Sequence, residues 1–440
     1  MKKIFTVLLL FVFSATAFSQ SGTNSPYSQF GLGVLSDQSG GFNRGMNGLA
    51  LGFREHNQVN YLNPASYSNV DSLTFLFDAG FSMDKTNFKE GGKRLNANNS
   101  NFEYAVGAFR LGKNLGFSFG ILPYSRVGYQ YSTTGYIGNS RTASYTNSYE
   151  GTGGLRQIYV GAGYQLLSGK TKNERDWGLS VGANVSYLWG DYSRAMLNTY
   201  SETYANNLYK CYSAEVRSYM IDLGVQYYRQ LDNDNQITIG ATFELGHKIG
   251  GHPECAVVTN NVQTNVTDTT KLGGNDMQLE IPMKIGVGVV WTSHKKWKTG
   301  IDYSLQRWGS VRFPVASITD DAMSYTLEKG QFSDRHKVTV GTEYCPSEYG
   351  RKFFSRMKYR AGISYATPYL KINGKNGPRE YSASVGLGIP IVNGWNNRSI
   401  LNISGQWVRQ DASSFITENT FRLNIGLTFN ELWFQKWKFK

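Results

Sequence analysis

From Leu73 to Phe429 apolar and polar residues alternate with period two, and the pattern is cleanest near the end of the chain. In TFRLNIGLTF, Phe421, Leu423, Ile425, Leu427 and Phe429 share one face, while Arg422, Asn424, Gly426 and Thr428 share the other. The same alternation runs through Leu73 to Phe81, Phe102 to Phe109, Phe117 to Tyr131, Ile158 to Leu166, Leu179 to Trp189 and Tyr219 to Tyr227. It continues through Ile237 to Leu245, Leu279 to Val289, Trp297 to Leu305, Val338 to Val340, Met357 to Tyr365, Tyr381 to Ile389 and Leu401 to Trp407. One such segment would suit a soluble sandwich. About fourteen of them, each about ten residues long, match tilted membrane strands, and an even number returns the chain to its starting side. The pattern predicts an all-β fold: a transmembrane antiparallel β-barrel of about 14 strands over residues 72–430.

The connections alternate in length. Gly112 to Asn114, Asp232 to Asn235, Ser293 to Lys296 and Asn393 to Asn397 are short; Ser193 to Tyr212, Gly251 to Asn275 and Gln306 to Asp334 are long. Such barrels keep short turns in the periplasm and long loops outside, which puts both termini in the periplasm. Trp177, Trp291, Trp297 and Trp395 flank the short turns, as an interfacial aromatic girdle does.

Composition agrees with export to an outer membrane. Lys2 and Lys3 precede an apolar run, Ile4 to Phe13, and small residues at Ala17 and Ser19, so residues 1–19 read as a signal peptide. The chain is 14% aromatic with 49 Gly and only 18% charged, whereas soluble domains average about 25% charged. The net charge of +13 comes from scattered Lys and Arg, and an exported barrel does not meet nucleic acid. These features place the protein in the cell outer membrane of a Gram-negative bacterium, with lipid as a partner. Of three cysteines, Cys211 and Cys255 are able to pair, leaving Cys345 over.

Residues 20–71 precede the first strand and fit no regular element. A fourteen-stranded lumen is too wide for its own side chains to fill, so an N-terminal hatch is expected inside it. Here Arg44-Gly45-Met46-Asn47-Gly48-Leu49-Ala50 resembles the glycine-rich hatch of FadL-type (long-chain fatty-acid transporter-like) outer-membrane proteins, in their Bacteroidota branch. Leu62-Asn63-Pro64-Ala65-Ser66-Tyr67 is similar to that family's Asn-Pro-Ala element before strand one. The stretches from Gly153 to Gly161 and from Phe429 to Phe434 resemble the same branch. Arg44, Gly45, Met46, Asn47, Gly48, Asn63 and Pro64 are therefore the expected hatch residues, with a flexible periplasmic tail as the alternative. The apolar Leu49, Leu51, Phe53, Val59 and Leu62 speak against a solvated tail.

The resemblance implies passive diffusion of hydrophobic molecules through a barrel whose third strand is broken toward the membrane. FGILPYSRVGY carries Gly120 and Pro123 where that strand is expected. Proline cannot donate to a ladder and glycine marks bulges, so the wall is weakened there, either as a lateral opening or as a structural bulge with no passage. Lys284, Lys358, Arg360 and Arg422 fall on lumen-facing parity, either to catch a polar head group or to pair with carboxylates such as Asp222, Glu244, Glu280, Asp302 and Glu343. No His-Glu-x-x-His or Gly-x-Ser-x-Gly motif occurs, and His247, His252 and Cys255 match no standard zinc spacing. No catalytic residue, metal site or cofactor is expected. Residues 431–440 mix aromatics with lysines, as an amphipathic periplasmic tail would.

Two readings of function follow. One is an outer-membrane channel for passive uptake of hydrophobic or amphipathic small molecules, gated by the hatch and with lateral release. The other is a non-transporting barrel subunit, or a carrier barrel, of an outer-membrane secretion or assembly machine, with protein partners. An apolar cavity beside residues 44–67 would favour the first, and a lumen packed solid the second.

Overall fold

The computed structural model of the protein describes residues 22–138, 142–171, 174–274, 277–319, 322–392, 398–412 and 415–432. Residues 1–19, read above as a signal peptide, the turn holding Trp395 and nearly all of the C-terminal segment lie outside that set. Fourteen antiparallel strands close into a barrel: β1 Thr74–Glu90, β2 Lys93–Arg110, β3 Leu115–Pro123, β4 Ala143–Lys170, β5 Asp176–Tyr200, β6 Asn206–Gln230 and β7 Asn235–Glu244, followed by β8 Lys284–Ser293, β9 Trp297–Gln306, β10 Arg335–Tyr344, β11 Lys358–Ala366, β12 Arg379–Val392, β13 Arg398–Asp411 and β14 Thr417–Leu432. Closure is made by β14 on β1, in register from Thr74 opposite Leu432 to Lys89 opposite Thr417.

Period two does what the sequence leads one to expect. Val185, Tyr187, Val287, Ile301, Ile363, Val385, Phe421 and Leu423 are exposed on the outer wall, while Asn184, Ser186, Gln226, Asp302, Ser364, Ser384 and Asn424 are buried inside it. An apolar exterior around a polar interior is the arrangement a lipid bilayer requires of a spanning barrel. Backbone amides cannot be left unpaired in hydrocarbon, and closure satisfies those along the paired strands.

The wall is lopsided. β4, β5 and β6 run 28, 25 and 25 residues, whereas β7, β8, β9 and β10 run ten each. Ser193 to Tyr212, expected as a loop, is thus mostly strand. The expected loop Gly251 to Asn275 holds a hairpin, Glu254–Asn261 with Val266–Gly273, that continues the sheet from β6. Another hairpin, Phe313–Thr319 with Ala322–Glu328, occupies Gln306 to Asp334. The first hairpin and the outer ends of β5 and β6 carry Asn and Thr on both faces, so they show no alternation of hydrophobicity. The expected strand Leu279 to Val289 is interrupted at Pro282, which lacks the N–H a ladder needs. Gln278–Ile281 pairs instead with His247–Gly251.

Cys211 and Cys255 are both free thiols. Cys255 lies opposite Tyr212, and Cys211 opposite Ala256. The two cysteines are therefore one position out of register, and their side chains leave the sheet on opposite faces.

Candidate functional site: the plugged lumen and the interrupted strand

Residues 22–70 fill the barrel in two layers. The outer layer, Gly22 to Leu35, carries Tyr27 and Leu32 into an apolar cluster with Tyr124, Val127, Leu155, Leu188, Tyr192, Val216, Trp308, Phe332 and Leu370. These partners come from the wall and from the long outer connections, so the loops are folded down onto the plug. The inner layer runs from Gly40 to Val70. It holds one helical turn, Gly41–Arg44, and a 3-10 segment, Pro64–Asn69, whose N-terminus is capped by the Asn63 side chain accepting from the Ala65 amide at 3.2 Å.

A segment with so little regular structure must find partners for its backbone elsewhere. Asn63 Nδ2 donates to the Leu51 carbonyl at 2.9 Å, and Asn60 Nδ2 donates to those of Ala50 and Phe53 at 2.7 and 3.0 Å. From the wall, Gln226 Nε2 donates to Leu51 and Phe53, both at 3.0 Å. Asp302 Oδ2 accepts from the Ala50 and Leu51 amides at 2.7 and 2.9 Å. Asn47, at φ +59°, donates to Ser364 Oγ at 2.6 Å and accepts from Ser382 Oγ and Gln406 Nε2 at 2.6 and 2.9 Å.

Charges lock the same layer. Arg44, with a side chain 2% exposed, pairs with Glu103 at 3.0 Å and donates to Asn424 Oδ1 at 2.8 Å and to the Ser39 and Asp37 carbonyls. Glu103 also takes Arg126 at 2.9 Å and the Ser82 hydroxyl at 2.5 Å. A second network joins hatch to wall: Glu55 pairs with Lys298 and, at 3.3 Å, with Lys358, while Glu343 holds Arg360 at 2.7 Å and Lys298 at 3.6 Å. Toward the short-turn side, Asp71 and Glu348 flank His56 at 2.7 and 3.5 Å. Their hydrogen bonds push the imidazole pKa up to about 9.

The wall is cut to receive the hatch. Gly116, Gly163, Gly182 and Gly224 lie side by side across β3, β4, β5 and β6. Gly240 is opposite Gly288, and Gly341 opposite Gly362. A Cβ on Gly116 would collide with the Tyr67 carbonyl, on Gly163 or Gly182 with Pro64, on Gly224 with Asn63, on Gly240 with the Leu51 carbonyl, and on Gly362 with Met46. Gly386 packs on Gly45, 2.7 Å from where its own Cβ would be. The expected hatch residues Gly45, Met46, Asn63 and Pro64 thus meet a girdle of wall glycines, where any side chain would displace the plug.

Among the cavities bordering the hatch, those at Gln38, Tyr61 and Asp222, at Gly33 and Tyr369, and at Asn57 and Lys358 have volumes of about 40, 40 and 10 Å³. One water needs about 10–15 Å³ and small-molecule pockets run to about 300 Å³ or more, so these have room for water alone. All four cations expected in the lumen are engaged: Lys284 with Glu244 at 3.4 Å, Lys358 and Arg360 as above, and Arg422 with Asp84 at 2.8 Å. Glu55, Glu103, Lys298 and Arg126 join these networks without any pattern in the sequence that marks them. Glu103 sits in a bulge between Phe102 and Tyr104, which breaks the parity that would reveal it.

Strand β3 stops after Pro123. Up to Ile121 it pairs with β2; beyond Tyr124 the chain resumes as Ser125–Ile137, still on β4 but turned inward to pair with Val34–Leu35 of the plug. Among the described residues, 93–101 of β2 have no strand on that side, which leaves a cleft in the wall. Arg126 ties its lower end, donating to the Phe102 carbonyl at 3.2 Å, and Asn24 bonds Asn99 at 3.0 Å. Gly120 lies below the break, its absent Cβ facing the Ala105 carbonyl at 2.6 Å.

The closed fourteen-stranded barrel is a fold shared with solved hydrocarbon transporters and channels. The toluene transporter TbuX of Ralstonia pickettii superposes with a TM-score of 0.58 over 88% of this chain and 97% of its own, at 16% identity. A Pseudomonas aeruginosa FadL homologue gives 0.58 over 89% and 98% at 10% identity, and the CymD monoaromatic hydrocarbon channel 0.55 over 91% and 98% at 16%. No curated protein sequence matches the chain. The family model named BamG matches residues 1–440, and the chain belongs to the BamG family.

Proposed function

We propose that this protein is an outer-membrane barrel, short turns and termini toward the periplasm, that serves as a non-conducting subunit of an outer-membrane secretion or assembly machine. The observation that carries the reading is the packed lumen: a hatch seated on wall glycines, ion-paired to both sides of the barrel and bordered by water-sized spaces. A ligand-gated plug needs a place for the ligand and a second arrangement of comparable energy. The buried networks around Arg44 and Glu55 oppose any displacement, since removing one partner of a buried pair costs about 3–5 kcal/mol.

The second reading, passage of hydrophobic small molecules, is favoured by the cleft above Pro123 and by the names of the similar structures. On that reading a molecule moves sideways between β2 and Ser125–Ile137, and Gly120 and Pro123 are the residues that keep the wall open. Native mass spectrometry of the protein extracted from its own membrane in mild detergent separates the two. A stoichiometric protein partner with no bound small molecule is the expected result. A bound mass of a few hundred daltons, lost when the hatch is disturbed, would replace this reading with the channel.

A further inference from the structure

On the lipid-facing side of strands whose inward residues Asp84, Gln406 and Arg422 belong to the lumen networks, the wall carries a hollow of about 690 Å³ crossing β12, β13, β14, β1 and β2. Two rows of cross-strand neighbours frame it. The inner row is Val385, Gly405, Leu423, Met83 and Ser100; the outer row is Ala383, Trp407, Phe421, Lys85 and Asn98. The floor is low because two positions are small: a Cβ on Gly405 would find no atom within 4 Å, and Ala383 adds one methyl group. Around it stand Val385, Phe421, Leu423 and Met83, all strongly exposed.

Depth identifies the solvent. Lys85 is eleven positions along β1 from Thr74. At about 3.3 Å per residue and a tilt of about 40°, that is roughly 28 Å above the short-turn rim, just past an apolar band about 25 Å tall. The hollow therefore opens into the outer half of the bilayer, with Lys85 and Asn98 at the depth of the lipid head groups and Ser100, the partner of Met83, one step below them. Lys284, Lys298 and Lys358, inside the barrel, are each paired with a carboxylate. Lys85, among the described residues, has no carboxylate within ion-pair distance.

An apolar trough ending in an unengaged ammonium, an amide and a hydroxyl is complementary to an amphiphile with acyl chains below and a phosphate above. We infer that this hollow is a binding site for a phosphorylated glycolipid of the outer leaflet, of the lipid A type. Acyl chains lie over Gly405 and Ala383, and a phosphate accepts from Lys85 Nζ, with Asn98 and Ser100 as further donors. The inference rests on the outer-membrane placement above but not on whether the lumen conducts.

The test uses full-length mature protein in mild detergent, titrated with lipid A or with phosphatidylglycerol and read by native mass spectrometry. One lipid A per barrel is expected, held more tightly than phosphatidylglycerol. Lys85→Ala should weaken it roughly fivefold and Lys85→Glu further, with Lys85→Arg restoring it. Gly405→Trp, which fills the hollow outward without touching the wall's interior, should abolish the bound lipid while the heat-modifiable mobility of the folded barrel stays unchanged. Equal binding by wild type, Lys85→Glu and Gly405→Trp would overturn the site as mere annular lipid. Phosphatidylglycerol binding as tightly as lipid A would overturn the assignment of the ligand. Since the readout is lipid on purified protein, it is independent of any protein partner.

Discussion

The two layers of the plug close the same lumen by different physics. The outer layer rests mainly on an apolar cluster in which Tyr27, Leu32, Trp308 and Phe332 exclude water without needing any one geometry, with a few polar anchors such as Ser25 Oγ on Glu418 at 2.7 Å. The inner layer buries Arg44, Asn47, Glu55, Asn60 and Asn63, and the hydrogen bonds and ion pairs that tie it to the wall hold only at short, directed distances. The difference teaches which layer can rearrange. An apolar cap trades one contact for another at small cost. A polar layer that loses one partner leaves a buried group unsatisfied, so the inner layer is either whole or undone. A plug sealed this way behaves as part of the wall.

The sharpest way to break the comparison is steric. Gly240→Leu puts a side chain into the Leu51 carbonyl, and Gly182→Leu does the same to Pro64. Both should yield barrels whose hatch is cut by protease, whereas Gly112→Ala, with nothing within 4 Å of the new methyl, should match wild type. Next in size is Glu103→Ala, which strands Arg44 and Arg126 together. It should cost about 3–5 kcal/mol in denaturant unfolding from lipid vesicles. Trp308→Ala, in the outer layer, should cost about 3 kcal/mol by cavity formation. It should leave the hatch protease-resistant, because the inner layer does not depend on it.

The smallest effect concerns pH. His56 is held protonated by Asp71 and Glu348, with its pKa raised to about 9 from an ordinary 6.5. The stabilisation is therefore complete below about pH 6.5, declines above it and is gone once pH has passed through about 9. Its side chain is 37% exposed, so solvent screens the contribution and it ranks last. His56→Gln should flatten the stability profile over that window and leave it unaltered elsewhere.

Much of the barrel is legible in the sequence because lipid outside and a polar lumen inside impose alternation, as Phe421 to Phe429 display. The interruption at Pro123 is legible for a different reason: proline has no N–H to give. The hatch glycines are visible as a break in pattern, but their seats are not. Gly116, Gly182 and Gly240 read as ordinary small lumen residues until the plug is placed against them. Glu103 escapes because a bulge shifts parity, and Glu55 because the hatch has no period. Beyond the membrane both faces of β4, β5 and β6 meet polar surroundings, so nothing in their composition distinguishes long strands from loops.

The central claim is that the inner hatch is fixed to the wall, and hydrogen exchange of the protein in lipid nanodiscs tests it most directly. The Ala50 and Leu51 amides donate to Asp302 of β9 and report any separation of hatch from wall. These two amides should exchange as slowly as those in the membrane-spanning parts of β8 and β9. Fast exchange at Ala50 and Leu51 while β8 and β9 remain protected would show a hatch that opens by itself, and would contradict the claim.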